Sequence, residues 1–327
     1  MHGKAEALPK GGMTMQLSLM TDSLGSLSFQ EMVEKASQLG FEALEFGTGN
    51  WSQAPHLDLD LLLSSSNARE DFVGTLQAHH LSISALNCSG NILAPNEMGK
   101  KHQQVMRKTF MLSTLLGVKH IVMMSGLPGG GPEEHLPNWI TTSWPLENLE
   151  VLSYQWNDCL IPFWKELVKE AQDQGVEQIA LENHGCQLVY NCQTLKRLRE
   201  AVGPMVGMNL DPSHLFWMGG DPMAMARSLQ GMLYHVHAKD VRIERVLSGA
   251  EGLLDTSPIE DYAKRTWNYV ALGYGHDLLW WKEFFSVLTM VGYDGPVSLE
   301  MEDKTMSQVT GTCKSLEVLK AALPRLI

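Results

Sequence analysis

The sequence contains no Cys-x-x-Cys pair, and its five cysteines (Cys88, Cys159, Cys186, Cys192 and Cys313) are odd in number and widely spread. It lacks the paired-thiol spacing of a zinc or redox motif, and a reducing cytoplasm is the simplest setting for such a chain. No apolar run approaches the ~20 residues of a membrane span. The N-terminus carries Lys4 and Lys10 but no apolar h-region, so it does not read as a secretory signal. Positive charge is scarce, with 25 Lys and Arg against 37 Asp and Glu and a net charge of −12. Such a field repels phosphate backbones and anionic lipid, which argues against nucleic-acid and membrane-surface partners. Anionic small substrates are not excluded, because a bound cation reverses the local field. Two phosphate-binding motifs are also missing. The run Gly126-Leu-Pro-Gly-Gly-Gly131-Pro lacks the Gly-Lys-Ser/Thr ending of a P-loop. No Gly-x-Gly-x-x-Gly follows the first predicted strand, which argues against a doubly wound dinucleotide fold.

What is present is regular alternation. The apolar fraction of 44% over 327 residues is ample for one large core. Strand-like segments are predicted over 16–20, 43–46, 81–86, 119–124, 178–182, 206–211, 234–238 and 297–300, each followed by a helix-like segment. The first helix shows the signals most plainly. Phe29, Met32, Val33, Ala36 and Leu39 form one stripe, Ser28 and Glu31 make a capping box, and Gly40 closes it. Eight such units predict a closed (β/α)8 TIM barrel over residues 15–327, preceded by a loose lead-in over 1–14. Two βα loops are long, 125–154 after strand four and 241–279 after strand seven. Loops of that length at the catalytic face of a barrel serve as lids or subunit contacts, so a homo-oligomer is expected, with room for a different partner subunit.

Four apolar runs in the second half end in a group that binds hard metal ions: Glu182, Asp211, His237 and Glu300. All four fall at the C-terminal ends of neighbouring predicted strands, where a parallel barrel builds its active site. Adjacent strands lie ~4.8 Å apart, so four neighbouring ends can converge on one ion. Mixed oxygen and nitrogen ligation favours Mn²⁺ first, with Mg²⁺, Co²⁺ or Zn²⁺ as alternatives. Side chains at i and i+2 on a strand share a face. That rule directs His184 toward the mouth beyond Glu182, as an acid/base or a hydrogen-bond donor. It puts His235 one layer below His237, as a core or supporting histidine. It also aims Lys239 at substrate, unless the adjacent Asp240 pairs with it. His214 follows strand six on a loop, within reach of a substrate hydroxyl, and Arg242 is the nearest guanidinium downstream of His237. Trp139, with Trp144 and Trp156, follows the glycine-rich run, and aromatic faces suit the C–H faces of sugars.

Taken together, these residues resemble the xylose-isomerase-like barrels of the sugar phosphate isomerase/epimerase family. That family includes ketose 3-epimerases, inosose isomerases and dehydratases, and hydroxypyruvate isomerases. The matching pieces are Leu181-Glu182-Asn183-His184, Leu210-Asp211-Pro-Ser-His214, His235-Val-His237-Ala-Lys239-Asp240, Gly273-Tyr-Gly275, and Tyr293-Asp-Gly295 leading to Ser298-Leu-Glu300. The resemblance runs from about Met15 to the C-terminus. It implies that Glu182 and Glu300 are both metal ligands and the proton-transferring pair, and that His214 contacts substrate. The substrate-binding arginine of the ketose epimerases has only a shifted counterpart, Arg242. Both long loops exceed those of the small epimerases. They are similar to the catalytic subunits of enzymes that cleave C-glycosides of 3-keto sugars, where a histidine near the position of His184 acts as base.

The expected activity is therefore metal-assisted proton transfer next to a sugar carbonyl, through an enediolate. The same intermediate can expel a β-leaving group, so a lyase or dehydratase acting on a keto-inositol or 3-keto-glycoside is the alternative. A DNA-repair endonuclease on this barrel would need a basic face, which the net charge of −12 opposes. A non-catalytic sugar sensor would bind its ligand without metal.

Overall fold

The structure is a computed structural model and describes residues 15–324. The predicted lead-in over 1–14 lies outside the described residues. Among the described residues ten strands occur in chain order: β1 (Gln16–Met20), β2 (Ala43–Gly47), β3 (Ser82–Asn87), β4 (His120–Met123), β5 (Gln178–Glu182), β6 (Val206–Leu210), β7 (Leu233–Ala238), β8 (Asp240–Ile243), β9 (Trp267–Val270) and β10 (Pro296–Leu299). Eight of them form a closed parallel barrel in the order β1-β10-β7-β6-β5-β4-β3-β2. Closure is made by β1, whose Ser18 pairs in register with Ala43 on one side and Ser298 on the other. This is the predicted (β/α)8 TIM barrel. The remaining two strands, β8 and β9, form a separate antiparallel ribbon.

The helices are α1 (Phe29–Leu39), α2 (Leu59–Ser64), α3 (Ser66–Ala78), α4 (Glu97–Leu116), α5 (Glu147–Tyr154), α6 (Ile161–Asp173), α7 (Cys192–Val202), α8 (Pro212–Met218), α9 (Pro222–Ser228), α10 (Arg245–Glu251), α11 (Leu278–Met290) and α12 (Gln308–Ala322). The capping box of α1 forms as expected, and Gly40 takes the left-handed conformation at φ 81° that ends the helix. The barrel strands are buried on both faces, with apolar side chains outward and polar ones among those lining the interior, and most helices turn a buried apolar stripe toward them. Among the described residues, no helix is long and apolar enough to cross a membrane.

Three differences from the sequence reading bear on the site. Strands β6 and β10 stop at Leu210 and Leu299, so Asp211 and Glu300 are the first residues beyond their strands. His214 lies in α8 rather than on a loop. Seven residues are too few to show a helical period, but Asp211 as N-cap and Pro212 at the first position are a recognisable start signal. Finally, the long segments are not irregular throughout. Residues 125–154 end in α5, and 241–279 contain α10 and nearly all of the β8–β9 ribbon.

Inside the barrel, small polar side chains fill the layer below the site. Ser18 Oγ and Ser84 Oγ are 2.8 Å apart, and Ser298 Oγ donates to Ser18 at 3.1 Å. Above them stands Glu45 of β2, fully buried, accepting from Asn87 Nδ2 at 2.7 Å.

Candidate metal centre

Glu182, Asp211, His237 and Glu300 each offer one ligand atom, and these atoms all lie within 4.8 Å of one another. Each side chain is tethered through one atom and presents the other. Glu182 Oε1 is 2.7 Å from His214 Nε2. Asp211 Oδ1 accepts from the Ser213 backbone N–H at 2.8 Å, in its role as cap of α8. His237 Nε2 lies 3.1 Å from both oxygens of Glu45. Glu300 Oε1 accepts from Lys239 Nζ at 3.1 Å.

Three of the presented atoms lack an aligned hydrogen-bond partner, although His214 Nε2 lies 3.3 Å from Asp211 Oδ2. Asp211 Oδ2, His237 Nδ1 and Glu300 Oε2 are buried without hydrogen-bond partners. His237 Nδ1 approaches Glu300 Oε2 to 2.9 Å and Glu182 Oε2 to 4.0 Å, but neither approach has hydrogen-bond alignment. Buried polar atoms left without partners cost about 1–3 kcal/mol each, so three of them facing one point call for a missing group. A divalent cation fits the donor set of three carboxylates and one imidazole. The Glu45–His237 contact is the carboxylate–histidine arrangement that fixes the ring and leaves the other nitrogen to bind metal.

The electrostatics of the cation-free site agree. Burial lowers the basicity of His237, but Glu45 and Glu300 outweigh it and hold the ring protonated well above the usual histidine range. Burial likewise raises Glu45, and His237 with His235 more than offset that. His235 Nε2 contacts Glu45 at 2.8 Å, which places it as a supporting histidine one layer down. Burial raises Glu300, but Lys239 and then His237 keep it well below the carboxylate range. Without a cation, a proton on His237 supplies part of the missing positive charge.

The rings of His214, Tyr269 and His184 pack beside the ligands. His214 is raised to about 9, because Asp211 and Glu182 overcome the effect of burial. Tyr269 Oη is 3.3 Å from its Nδ1. The His184 ring centroid lies 4.1 Å from that of His214. Burial, and then the neighbouring His214, push His184 down to about 4, so it is neutral. Lys239 lies over the Tyr269 ring at 4.4 Å and pairs with Glu300 and Glu302, each at 3.1 Å.

Lys239 does not pair with Asp240. Asp240 instead accepts the backbone N–H groups of Gly273, Gly275 and His276, which close the loop behind the ribbon. Arg242, on the β8–β9 ribbon, pairs with Glu244 at 2.7 Å rather than with any of the four ligands. Trp139 packs edge-on against Trp217 and Tyr190, beside Gly185 at the rim. Glu45 was missed from the sequence, although a lone carboxylate inside the apolar run Ala43-Leu-Glu45-Phe46 was a usable signal.

Comparison with known proteins gives the family. The family model described as "Xylose isomerase-like TIM barrel" matches residues 33–322. The chain belongs to the xylose isomerase-like TIM barrel family. It is 57% identical over 311 residues to the YfiH protein of Bacillus subtilis (strain 168), covering 94% of this chain and 99% of that one. Two solved structures share the xylose isomerase-like fold at 18% identity. The IOLI protein with a bound zinc atom matches with a TM-score of 0.65 over 95% of this chain and 100% of its own. The probable 3-DHS dehydratase AsbF of Bacillus anthracis matches with a TM-score of 0.64 over 94% and 99%.

Proposed function

We propose that this chain is a divalent-cation-dependent isomerase or epimerase that moves a proton on the carbon next to a sugar carbonyl. The observation that carries this reading is the set of four tethered side chains, each presenting a second atom to one point. Mn²⁺ suits the donor set best, with Mg²⁺, Co²⁺ and Zn²⁺ as alternatives. The cation would be held by Glu182, Asp211, His237 and Glu300, and supplies Lewis-acid stabilisation of charge developing on a substrate oxygen.

The protein's own groups handle the proton. Glu182 and Glu300 come from β5 and the end of β10, with β6 and β7 between them, so they approach a bound substrate from different directions. Glu300 is held ionised by Lys239 and His237, which together outweigh its burial. His214 steadies Glu182, and Lys239 steadies Glu300. Return of the proton to the opposite face of the same carbon gives epimerisation. Return to the neighbouring carbon gives aldose–ketose isomerisation. Lys239 would bind a substrate oxygen, and protonated His214, its ring nitrogens turned to Glu182 and Tyr269, would orient Glu182 for the substrate. The test is solvent exchange. The Mn²⁺-loaded protein is expected to exchange the α-proton of a keto-sugar in deuterated water, and Glu182→Gln to abolish that exchange. Unchanged exchange in Glu182→Gln overturns the assignment.

One observation favours a second reading, a lyase acting on a keto-inositol or a 3-keto-glycoside. His184 is neutral and packed against protonated His214, which gives a proton acceptor and a donor side by side. Release of aglycone from 3-keto-glucosides would decide for it.

A further inference from the structure

The far end of the barrel from the metal centre opens into a cavity of about 460 Å³. Its lining includes the first residues of five strands: Gln16, His120, Gln178, Leu233 and Pro296. Two β-bulges turn further side chains into it. The β2–β3 register passes from Leu44–Ile83 to Glu45–Ala85 and leaves Ser84 unpaired, and the β6–β7 register likewise leaves Tyr234 unpaired. Ser84 Oγ lies 2.8 Å from Ser18 Oγ although β2 separates their strands, so both hydroxyls stand inside the barrel. The Tyr234 ring packs against the cluster of Ala85, Val122 and Ala180, which lies across β6 from its own strand. A Cβ on Gly207 would lie 2.4 Å from Tyr234 Cδ2, so only glycine leaves room for the ring.

Above this floor the interior carries small side chains. Ser18, Ala85, Val122, Ala180, Gly207 and Ser298 occupy a layer that bulky branched residues fill in most such barrels. Asn209 looks onto the same space. It is level with Glu182 on one side and His235 on the other, both of which point inward. Asn209 is 0% exposed, and neither its amide oxygen nor its amide nitrogen has a hydrogen-bond partner. An amide left wholly unpaired in the interior is costly, and a buried water takes roughly two to four polar partners. We infer that the lower barrel is a binding chamber for ordered water, held by Asn209 and supplied from the base past Ser84. The chamber reaches the centre from behind, since Ser298, in the hydroxyl cluster with Ser84 and Ser18, pairs in register with His237. From the mouth, the four ligand side chains are at most 16% exposed. A molecule seated there closes that side, and the base remains as the route for solvent. The chamber needs neither the cation nor the reaction proposed for the centre.

Water itself is the probe, and the full chain is used throughout. Oxygen-17 relaxation dispersion of the solvent gives the number of long-lived buried waters and their residence time, and a crystal structure of the same protein locates them. An ordered water is expected within hydrogen-bond distance of the Asn209 amide. Asn209→Leu, of similar shape, is expected to lose it and to lower the long-lived count. Ser84→Val narrows the passage with an apolar group and is expected to lengthen the residence time by about tenfold, while Ser84→Ala leaves it within about twofold of wild type. Gln178→Leu, nearer the opening and outside the hydroxyl cluster, repeats the obstruction should Ser84→Val not fold. A crystal structure with no water beside Asn209 overturns the inference, as does a long-lived count in Asn209→Leu equal to that of wild type. Residence times unmoved by both Ser84→Val and Gln178→Leu refute the basal route, because water then exchanges through the mouth.

Discussion

Glu45 on β2 and His237 on β7 meet across the barrel interior, with both carboxylate oxygens 3.1 Å from the imidazole Nε2. This contact turns the histidine so that Nδ1 faces the carboxylates of the centre. Replacing Glu45 by Ala is therefore expected to weaken Mn²⁺ binding by roughly 10–100-fold, although Glu45 itself presents nothing to the ion. Calorimetric titration of chelator-stripped protein would measure it. Undiminished affinity would mean that Glu45 only fills space.

Cation binding should stabilise the fold. The centre brings together groups from β5, β7 and the residues just past β6 and β10, and those groups are not preassembled in the unfolded chain. A ligand that binds only the native state at ~100 times its Kd adds about 2.7 kcal/mol. Thermal or denaturant unfolding with and without Mn²⁺ should show that gain in wild type and lose most of it in Asp211→Asn. An equal gain in the variant would place the ion elsewhere.

Asp22 provides a pH signature. Burial, reinforced by Glu300, Glu45 and Glu302 and opposed by the Ser52 hydrogen bond, raises its carboxyl from 3.8 to about 6. A group whose folded pKa is raised favours the native state while protonated. Its contribution is full below about pH 3.8 and is lost as pH rises through about 6. The loss is on the order of 3 kcal/mol. In the presence of chelator, Asp22→Asn should remove that part of the slope, so that it gains stability relative to wild type between pH 4 and 7 (roughly the window of the shift). Parallel stability–pH curves for the two proteins would refute this.

Gly185 is a tight point of the rim. A Cβ there would lie 2.3 Å from Trp217 Cη2 and 3.4 Å from Trp139 Cη2. Trp217 stacks on Trp267 at 5.2 Å and cannot yield without disturbing that pair. Gly185→Ala should cost about 1–3 kcal/mol and lower turnover by displacing the adjacent His184. Near-ultraviolet circular dichroism would follow the tryptophans. An unchanged spectrum and unchanged stability would show that the rim can relax.

Much of this was legible in the chain. Strand-ending carboxylates and imidazoles, the Ser28–Glu31 cap and the alternation of elements are local patterns, and each reports a local preference of the backbone. Asp211 illustrates the limit. Its position after an apolar run marked it as a ligand, but its second role as cap of α8 was hidden because a seven-residue helix has no visible period. Arg242 illustrates another. Sequence proximity to His237 suggested a shared mouth, yet the chain turns out into the ribbon at Asp240 and carries the guanidinium to Glu244.

The sequence by itself determined the barrel and the four candidate groups at or just past its strand ends, because periodicity and residue type encode those directly. Only the tertiary structure decided which atom of each group is tethered and which is free. It alone also decided that Glu45 turns His237 and that Trp51 meets His184. These pairings join residues 192 and 133 positions apart. They depend on how a closed ring of strands is tilted and staggered, a property of the whole barrel that no local stretch of chain specifies.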